Sequence, residues 1–173
     1  NFLYFFTKKF FFKKINEMNY LDYNFVHNKI PGFYSIFKPR GFKEIQTFVN
    51  SKKLSPFLRQ ILHILQSNNS ESILCGLKFH PASNFSFHPN YKTCSIGIDL
   101  DINNKNFEII KKNILKTVIK YNGKIYLAKD SILDQKKFKK IYSRDIKNFL
   151  SIKKAVDIKK ILSSDFSRRL LGI

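Results

Sequence analysis

The sequence contains few of the residues that usually build a recognisable catalytic site. It has no tryptophan, one methionine, two cysteines and six glycines in 173 residues. No Gly-rich loop of the dinucleotide-binding or P-loop type occurs, and neither His-Glu-x-x-His nor Gly-x-Ser-x-Gly is present. These absences argue against the nucleotide-binding enzymes, zinc proteases and serine hydrolases that depend on those motifs.

Cysteine and histidine are too scattered to predict a metal site. Cys75 and Cys94 lie on predicted strands without Cys-x-x-Cys spacing, so a zinc site or disulfide framework is not expected and a reducing cytoplasm is the expected location. The histidines have no metal spacing, and we expect packed or solvated imidazoles at His27, His63, His80 and His88. No signal peptide is recognisable, and lysines interrupt every apolar run before it reaches membrane-spanning length.

Acidic residues are scarce. The 12 Asp and Glu oppose 32 Lys and Arg, giving a net charge of +20, which attracts phosphates, anionic lipid or nucleic acid. Arginine occurs only at positions 40, 59, 144, 168 and 169, whereas nucleic-acid readers rely on its bidentate contacts, so nucleic acid is not the expected partner. A basic module that binds an anionic surface without catalysis stays open as the alternative function.

Residues 2–15 place aromatic triplets between lysine pairs. As a helix this segment is imperfectly amphipathic, which fits packing against an upstream domain. The same composition is typical of helices at a membrane surface, so contact with a membrane or a lipid-linked substrate is the second interpretation. It would make the protein cytoplasmic but peripheral at the membrane.

The hydrophobic periodicity predicts an α+β domain. With 43% hydrophobic residues, 19 of them Phe, the chain is expected to fold. Strands are predicted at 43–49, 72–79, 94–100 and 125–128, with helices at 55–65 and 105–121. This split βαβ order predicts a mainly antiparallel sheet with helices on one face. A further short strand is predicted at 84–87, and helices at 134–142 and 144–155 have too few apolar anchors for their own core.

Two stretches near the C-terminus hold the best functional candidates. In Gly123–Ser131 a short apolar strand is expected to deliver Lys129 to the edge of the sheet, and Ser164–Leu170 carries two arginines. A lysine that merely ends a strand is the plain alternative. Asp99 and Asp101 share one strand face and could bind a cation, but a solvated sheet face is expected there.

These stretches resemble a known family. Tyr-Leu-Ala-Lys-Asp-Ser at 126–131, followed by Ser-Asp-Phe-Ser-Arg-Arg-Leu at 164–170, is similar to the C-terminal end of FAD-linked oxidases of the vanillyl-alcohol-oxidase type. The nearest branches are those named for decaprenylphosphoryl-β-D-ribose and D-arabinono-1,4-lactone. The resemblance implies an FAD-dependent oxidoreductase that oxidises a sugar hydroxyl or aldonolactone, with hydride passing to the flavin. It implies catalytic and cofactor-contacting roles for Lys129 and Tyr126, and a cofactor contact for Arg168.

Looser matches extend the resemblance along the chain. Gln46 stands where the family has a pocket-facing glutamine, although Ile45 replaces the preceding aromatic residue, and Lys78 matches a pocket-facing lysine. Both are implied to bind substrate. The segment Asp157–Lys160 replaces the family's Asp-Pro-x-Gly turn, and Ser143 replaces the proline of a Tyr-Pro-Arg element.

The resemblance also implies a domain organisation. Residues 1–122 would form most of a substrate-binding domain, incomplete at its N-terminus, and residues 123–173 the C-terminal segment of an FAD domain. The helices of that segment would dock on an N-terminal FAD domain supplied by polypeptide outside this sequence. The expected partners are therefore that domain, a sugar or lactone that is lipid-linked in one branch, and a short-chain reductase that takes the keto product.

Overall fold

Four antiparallel strands and two helices form the domain that carries the predicted site. In this computed structural model the strands are β1 (Phe42–Asn50), β2 (Cys75–His80), β3 (Thr93–Asp101) and β4 (Lys124–Ile125), in the order β2-β3-β1-β4. Helix α1 (Leu54–Gln66) connects β1 to β2, and α2 (Phe107–Lys120) connects β3 to β4. This is the split βαβ, or ferredoxin-like, topology, and it confirms the predicted α+β class.

The structure describes residues 19–21, 35, 39, 41–70, 72, 75–130 and 132–173. The chain divides into two compact units, 1–36 and 37–173. In the first unit the amide of Leu21 donates to Asn19 Oδ1 at 2.8 Å. The aromatic segment at 2–15 lies outside the described residues, so both of its interpretations stay predictions, as does the domain boundary at residue 122.

One face of the sheet packs against α1 and α2. Because strand side chains alternate, Ile45 and Val49 of β1 and Ile96 and Ile98 of β3 point to the same side, and each is no more than 1% exposed. The helices contribute their own apolar stripes to this core, including Phe57, Ile61, Ile110, Ile114 and Val118. Burial of these side chains stabilises the fold and leaves the other face of the sheet for polar residues.

The chain continues after β4 into a helical segment. A 3₁₀ turn (Leu127–Lys129) precedes α3 (Gln135–Val156) and α4 (Asp165–Leu171). The predicted break between two helices is a single non-helical residue, Tyr142, inside a continuous α3. None of the helices in the described part of the chain has an apolar stretch suited to crossing a membrane.

Two sequence predictions of local structure were wrong. The strand predicted at 125–128 ends at Ile125, because only Lys124 and Ile125 find ladder partners on β1. The amides of Lys129 and Asp130 then bond the carbonyls of Tyr126 and Leu127, which closes the 3₁₀ turn. The strand predicted at 84–87 is also absent: the segment is a turn and ends at Phe87, whose φ is +63°.

Glycine at position 123 is explained by a close backbone approach. The turn after α2 uses Asn122 as its left-handed residue, with φ of +53°. A Cβ on Gly123 would lie 2.6 Å from the carbonyl oxygen of Phe48. Glycine therefore lets the backbone between α2 and β4 lie directly against β1, where Lys124 begins β4 opposite Phe48.

Candidate active site

The second face of the sheet is lined by polar side chains. We call it the polar face; its members are Glu44, Gln46 and Phe48 of β1, Lys78 and His80 of β2, and Ser95, Gly97 and Asp99 of β3, with Lys124 and Tyr126 at the β4 edge. The apolar alternation of β1 and β3 fixes this membership, because residues that alternate with buried ones must point the opposite way. The face is thus a by-product of the core.

Four of the five residues predicted for the site come together on this face. Gln46 lies opposite Gly97, and Lys78 lies opposite Ser95 on the other side of β3. The amide of Tyr126 donates to the carbonyl of Gln46 at 2.7 Å, and its ring packs edge-on against Phe48 at 5.9 Å. The fourth residue, Lys129, reaches the same face from the 3₁₀ turn. The catalytic and binding roles assigned to them stay predictions.

Lys129 is held by a carboxylate that the sequence analysis did not identify. Its Nζ lies 2.7 Å from both oxygens of Glu44, and the two side chains are 44% and 30% exposed. Partial exposure makes such a pair worth little to stability, but it fixes the ammonium above β1. The alternation of Glu44 with Gln46 along one strand was the available signal, since it puts both on the same face.

A hydrogen-bonded chain crosses the centre of the polar face. Gln46 Nε2 donates to Ser95 Oγ at 3.2 Å, and Ser95 Oγ lies 2.8 Å from Nε2 of His80. The rings of His80 and His88 pack on Phe48 at 5.5 Å and 5.2 Å. Burial, followed by the charges of His88 and Lys78, lowers the pKa of His80 below 6.5. The sequence predicted only a packed or solvated imidazole at each of these two positions.

The space above Gly97, in the middle of this face, is taken by the Glu44 side chain. A Cβ there would lie 2.8 Å from Glu44 Oε1, so glycine lets the Glu44 side chain lie across β3. Asp99 was expected to be solvated, and that expectation was wrong: it is 6% exposed. Asp101 Oδ1 accepts from the backbone and side-chain amides of Asn103, at 2.7 Å and 2.6 Å. No group of three metal-ligating side chains is found within the described ranges.

Arg168 does not reach the polar face through any contact of the described residues. It is exposed and bonds Asp165 at 2.7 Å and Ser163 at 2.9 Å. Its neighbour Arg169 instead bonds the carbonyl of Leu133 at 2.6 Å and the buried carboxylate of Asp130 at 3.0 Å. Arg169 therefore ties α4 to the segment that follows Lys129. The cofactor contact predicted for Arg168 stays a prediction.

Comparison with known proteins finds a similarity to an oxidase. Over 180 residues the chain is 25% identical to decaprenylphosphoryl-β-D-ribose oxidase of Mycolicibacterium smegmatis, an alignment that covers 95% of this chain. The chain spans only 38% of the length of that relative. No protein-family model matches the chain.

Proposed function

We propose that this chain is the C-terminal portion of an FAD-dependent oxidoreductase that oxidises a hydroxyl group of a sugar or an aldonolactone. The observation that carries the proposal is the convergence of Gln46, Lys78, Tyr126 and Lys129 on one face of the sheet. The similarity to an oxidase named for a lipid-linked ribose supports the same reaction class.

The polar face has hydrogen-bonding groups that suit a flavin ring and a polyol. Lys129 offers an ammonium, Tyr126 a phenol that is 39% exposed, and Gln46 a side-chain carbonyl oxygen. The chain has no Gly-rich phosphate loop for the nucleotide half of FAD. We infer that Lys129 and Tyr126 would hold the ring, whereas an N-terminal FAD domain would bind the pyrophosphate.

Each side chain has a separate task in this proposal. FAD, when bound, supplies the hydride acceptor. The ammonium of Lys129 stabilises negative charge that develops beside it, and its carboxylate partner Glu44 moderates that effect. Gln46 and Lys78 bind and orient hydroxyl groups of the substrate, which brings the reacting carbon into position.

The exposed apolar surface of α3 and the segment after it is suited to the docking of an FAD domain. Ile152, Val156, Ile158, Ile161 and Leu162 are between 61% and 81% exposed. A patch of this kind on a small domain usually marks an interface. Phe138, by contrast, is fully buried in the chain's own core. A short-chain reductase that takes the keto product is the further partner we propose.

A matched pair of variants tests the proposal. The chain is expressed with the polypeptide encoded upstream of Asn1, and the product is expected to be a yellow protein bleached anaerobically by a sugar or aldonolactone. Lys129→Met should lower the two-electron flavin potential and Glu44→Gln should raise it, each by tens of millivolts at about 30 mV per 1.4 kcal/mol. Lys53→Met, in the short 3₁₀ turn before α1, is the control lysine.

Two outcomes would contradict the proposal. One is a protein that binds no flavin, and the other is a potential that ignores the charges at positions 44 and 129. Absence of flavin together with salt-sensitive binding to anionic vesicles would favour the alternative of a basic surface-binding module.

A further inference from the structure

The chain of hydrogen bonds from Gln46 through Ser95 to His80 constrains where its protons lie. Ser95 is 1% exposed, so its single hydroxyl hydrogen needs a partner inside the protein. Gln46 Nε2 is a donor, and Ser95 Oγ therefore acts as its acceptor at 3.2 Å. The hydroxyl hydrogen is left to point at Nε2 of His80, 2.8 Å away. That nitrogen accepts only when it carries no proton.

The side-chain carbonyl oxygen of Gln46, Oε1, is left free by this arrangement. Its amide nitrogen is engaged with Ser95, and within the described ranges no residue bonds its side-chain oxygen. Gln46 is partly exposed, so a ligand can reach its side chain. A hydroxyl group of a bound ligand can donate to this oxygen.

We propose that His80 is a positioning residue: in its neutral form it accepts a hydrogen bond from Ser95 and thereby holds the Gln46 carboxamide with its carbonyl oxygen presented to a substrate hydroxyl. The inference rests on the proposed function for the identity of that ligand. The proton arrangement itself depends only on the geometry of these three side chains.

Protonation of His80 reverses the direction of the hydrogen bonds between His80, Ser95 and Gln46. The charged ring must donate from Nε2 to Ser95 Oγ, and the Ser95 hydroxyl then needs another acceptor. A 180° turn of the Gln46 carboxamide would supply one, because it puts Oε1 where Nε2 now lies, 3.2 Å from Ser95 Oγ. The amide nitrogen of Gln46 would then face the substrate, so an acceptor becomes a donor. Binding of a hydroxyl through its hydrogen should therefore weaken at acid pH.

The surroundings of His80 favour the neutral ring. On its own strand Lys78 is positive, and across the face the imidazole of His88 lies with its centroid 6.2 Å away. β1 contributes the uncharged Phe48, and β3 contributes Ser95. Beyond His88, Lys124 bonds the His88 carbonyl and is neutralised by Asp145 at 2.8 Å. No carboxylate contacts His80 in the described residues, so nothing there offsets the cost of charging it.

Nitrogen NMR of the isotopically labelled chain tests the proton arrangement directly. The expected result is a neutral His80 in the Nδ1–H tautomer at pH 7.5, titrating below 6.5. The side-chain amide resonances of Gln46 should titrate with the same midpoint. An Nε2–H tautomer, or a Gln46 amide insensitive to His80, would overturn the proposal without reference to any flavin.

Two variants separate this coupling from a general effect of acid. Ser95→Ala should leave His80 titrating but uncouple Gln46 from it. In His88→Gln the coupling should persist while the midpoint of His80 rises, because one of the charges that lowers it is gone. If Gln46 still titrates together with His80 in Ser95→Ala, the two side chains are not linked through Ser95 and the proposal is wrong.

The flavin-loaded protein provides the functional readout. In the wild type, KM for the sugar or lactone should rise about fivefold as pH falls through the His80 midpoint, the value of one neutral hydrogen bond, with kcat less affected. His80→Gln, which keeps a neutral acceptor, should hold the low KM at all pH values, whereas His80→Phe should have a high KM throughout. Identical KM profiles for wild type and His80→Gln would refute the positioning role. A protein without oxidase activity would refute the proposed function alone.

Discussion

Loss of the Tyr142 hydroxyl should destabilise the segment that carries Tyr126 and Lys129 of the predicted site. Tyr142 is fully buried, and its hydroxyl accepts from the amide of Ile125 at 3.0 Å and donates to the carbonyl of the same residue. Ile125 lies on the edge strand β4, so one hydroxyl satisfies both of its outward-facing backbone groups. The residues that follow, Tyr126 and Lys129, depend on that edge for their position.

The expected cost follows from what Tyr142→Phe leaves behind. The ring still fills its place, but a buried amide and carbonyl lose their partner, and each such group costs about 1–3 kcal/mol. We expect the free energy of unfolding to fall by about 2 kcal/mol, the lower end of the sum for two such groups at an edge strand, and Tm by about 6 °C for a chain of this size. Burial also raises the pKa of Tyr142, so it should resist ionisation at alkaline pH.

A second tyrosine provides the control. Tyr91 also donates its hydroxyl to a backbone carbonyl, that of Asn122 at 2.8 Å, but at an exposed site where water can replace it. Tyr91→Phe should therefore cost about 0.5 kcal/mol. Urea unfolding followed by far-UV circular dichroism measures both variants. Equal losses of unfolding free energy in the two variants, or no loss in Tyr142→Phe, would show that water can replace the Tyr142 hydroxyl at β4.

Three other predictions concern stability. Gly123→Ala should cost about 2 kcal/mol because its Cβ would meet a β1 carbonyl at 2.6 Å, whereas Gly76→Ala meets nothing within 4 Å and should cost far less in the same urea assay. Arg169→Gln should lower the free energy of unfolding by about 2 kcal/mol, because the buried carboxylate of Asp130 would lose its charged partner. Arg168→Gln, which breaks an exposed ion pair, should lower it by less than about 0.5 kcal/mol, and equal losses would contradict the contacts of α4. Hydrogen bonds from a lysine and two backbone amides lower the pKa of Asp157 below 3.8. The ionised carboxylate therefore contributes its full share to the free energy of unfolding above pH 3.8, and this contribution is lost as pH falls through the lower pKa of the folded state. Below pH 3.8 the Tm of the wild type should fall more steeply than that of Asp157→Asn, and parallel curves would be the contrary result.

The sequence predicts the sheet better than it predicts the site, for a physical reason. Alternation in β1 and β3 and the helical spacing in α1 and α2 are local patterns, and they gave the right class and element order. The pair formed by Lys129 and Glu44 joins positions 85 residues apart, and no local pattern announces it. The short β4 is equally non-local, because its length is set by the partners that β1 offers.

Register links the core to the polar face. Ile45, Thr47 and Val49 are each no more than 1% exposed, and they commit Glu44, Gln46 and Phe48 to the opposite side. A slip of one residue between β1 and β3 would bury the charge of Glu44 and expose three core side chains, which no gain in pairing could offset. The hydrophobic core therefore determines which side chains can meet a ligand. Mutations that loosen β1 should disturb Gln46 and Lys129 together, although the two are far apart in sequence.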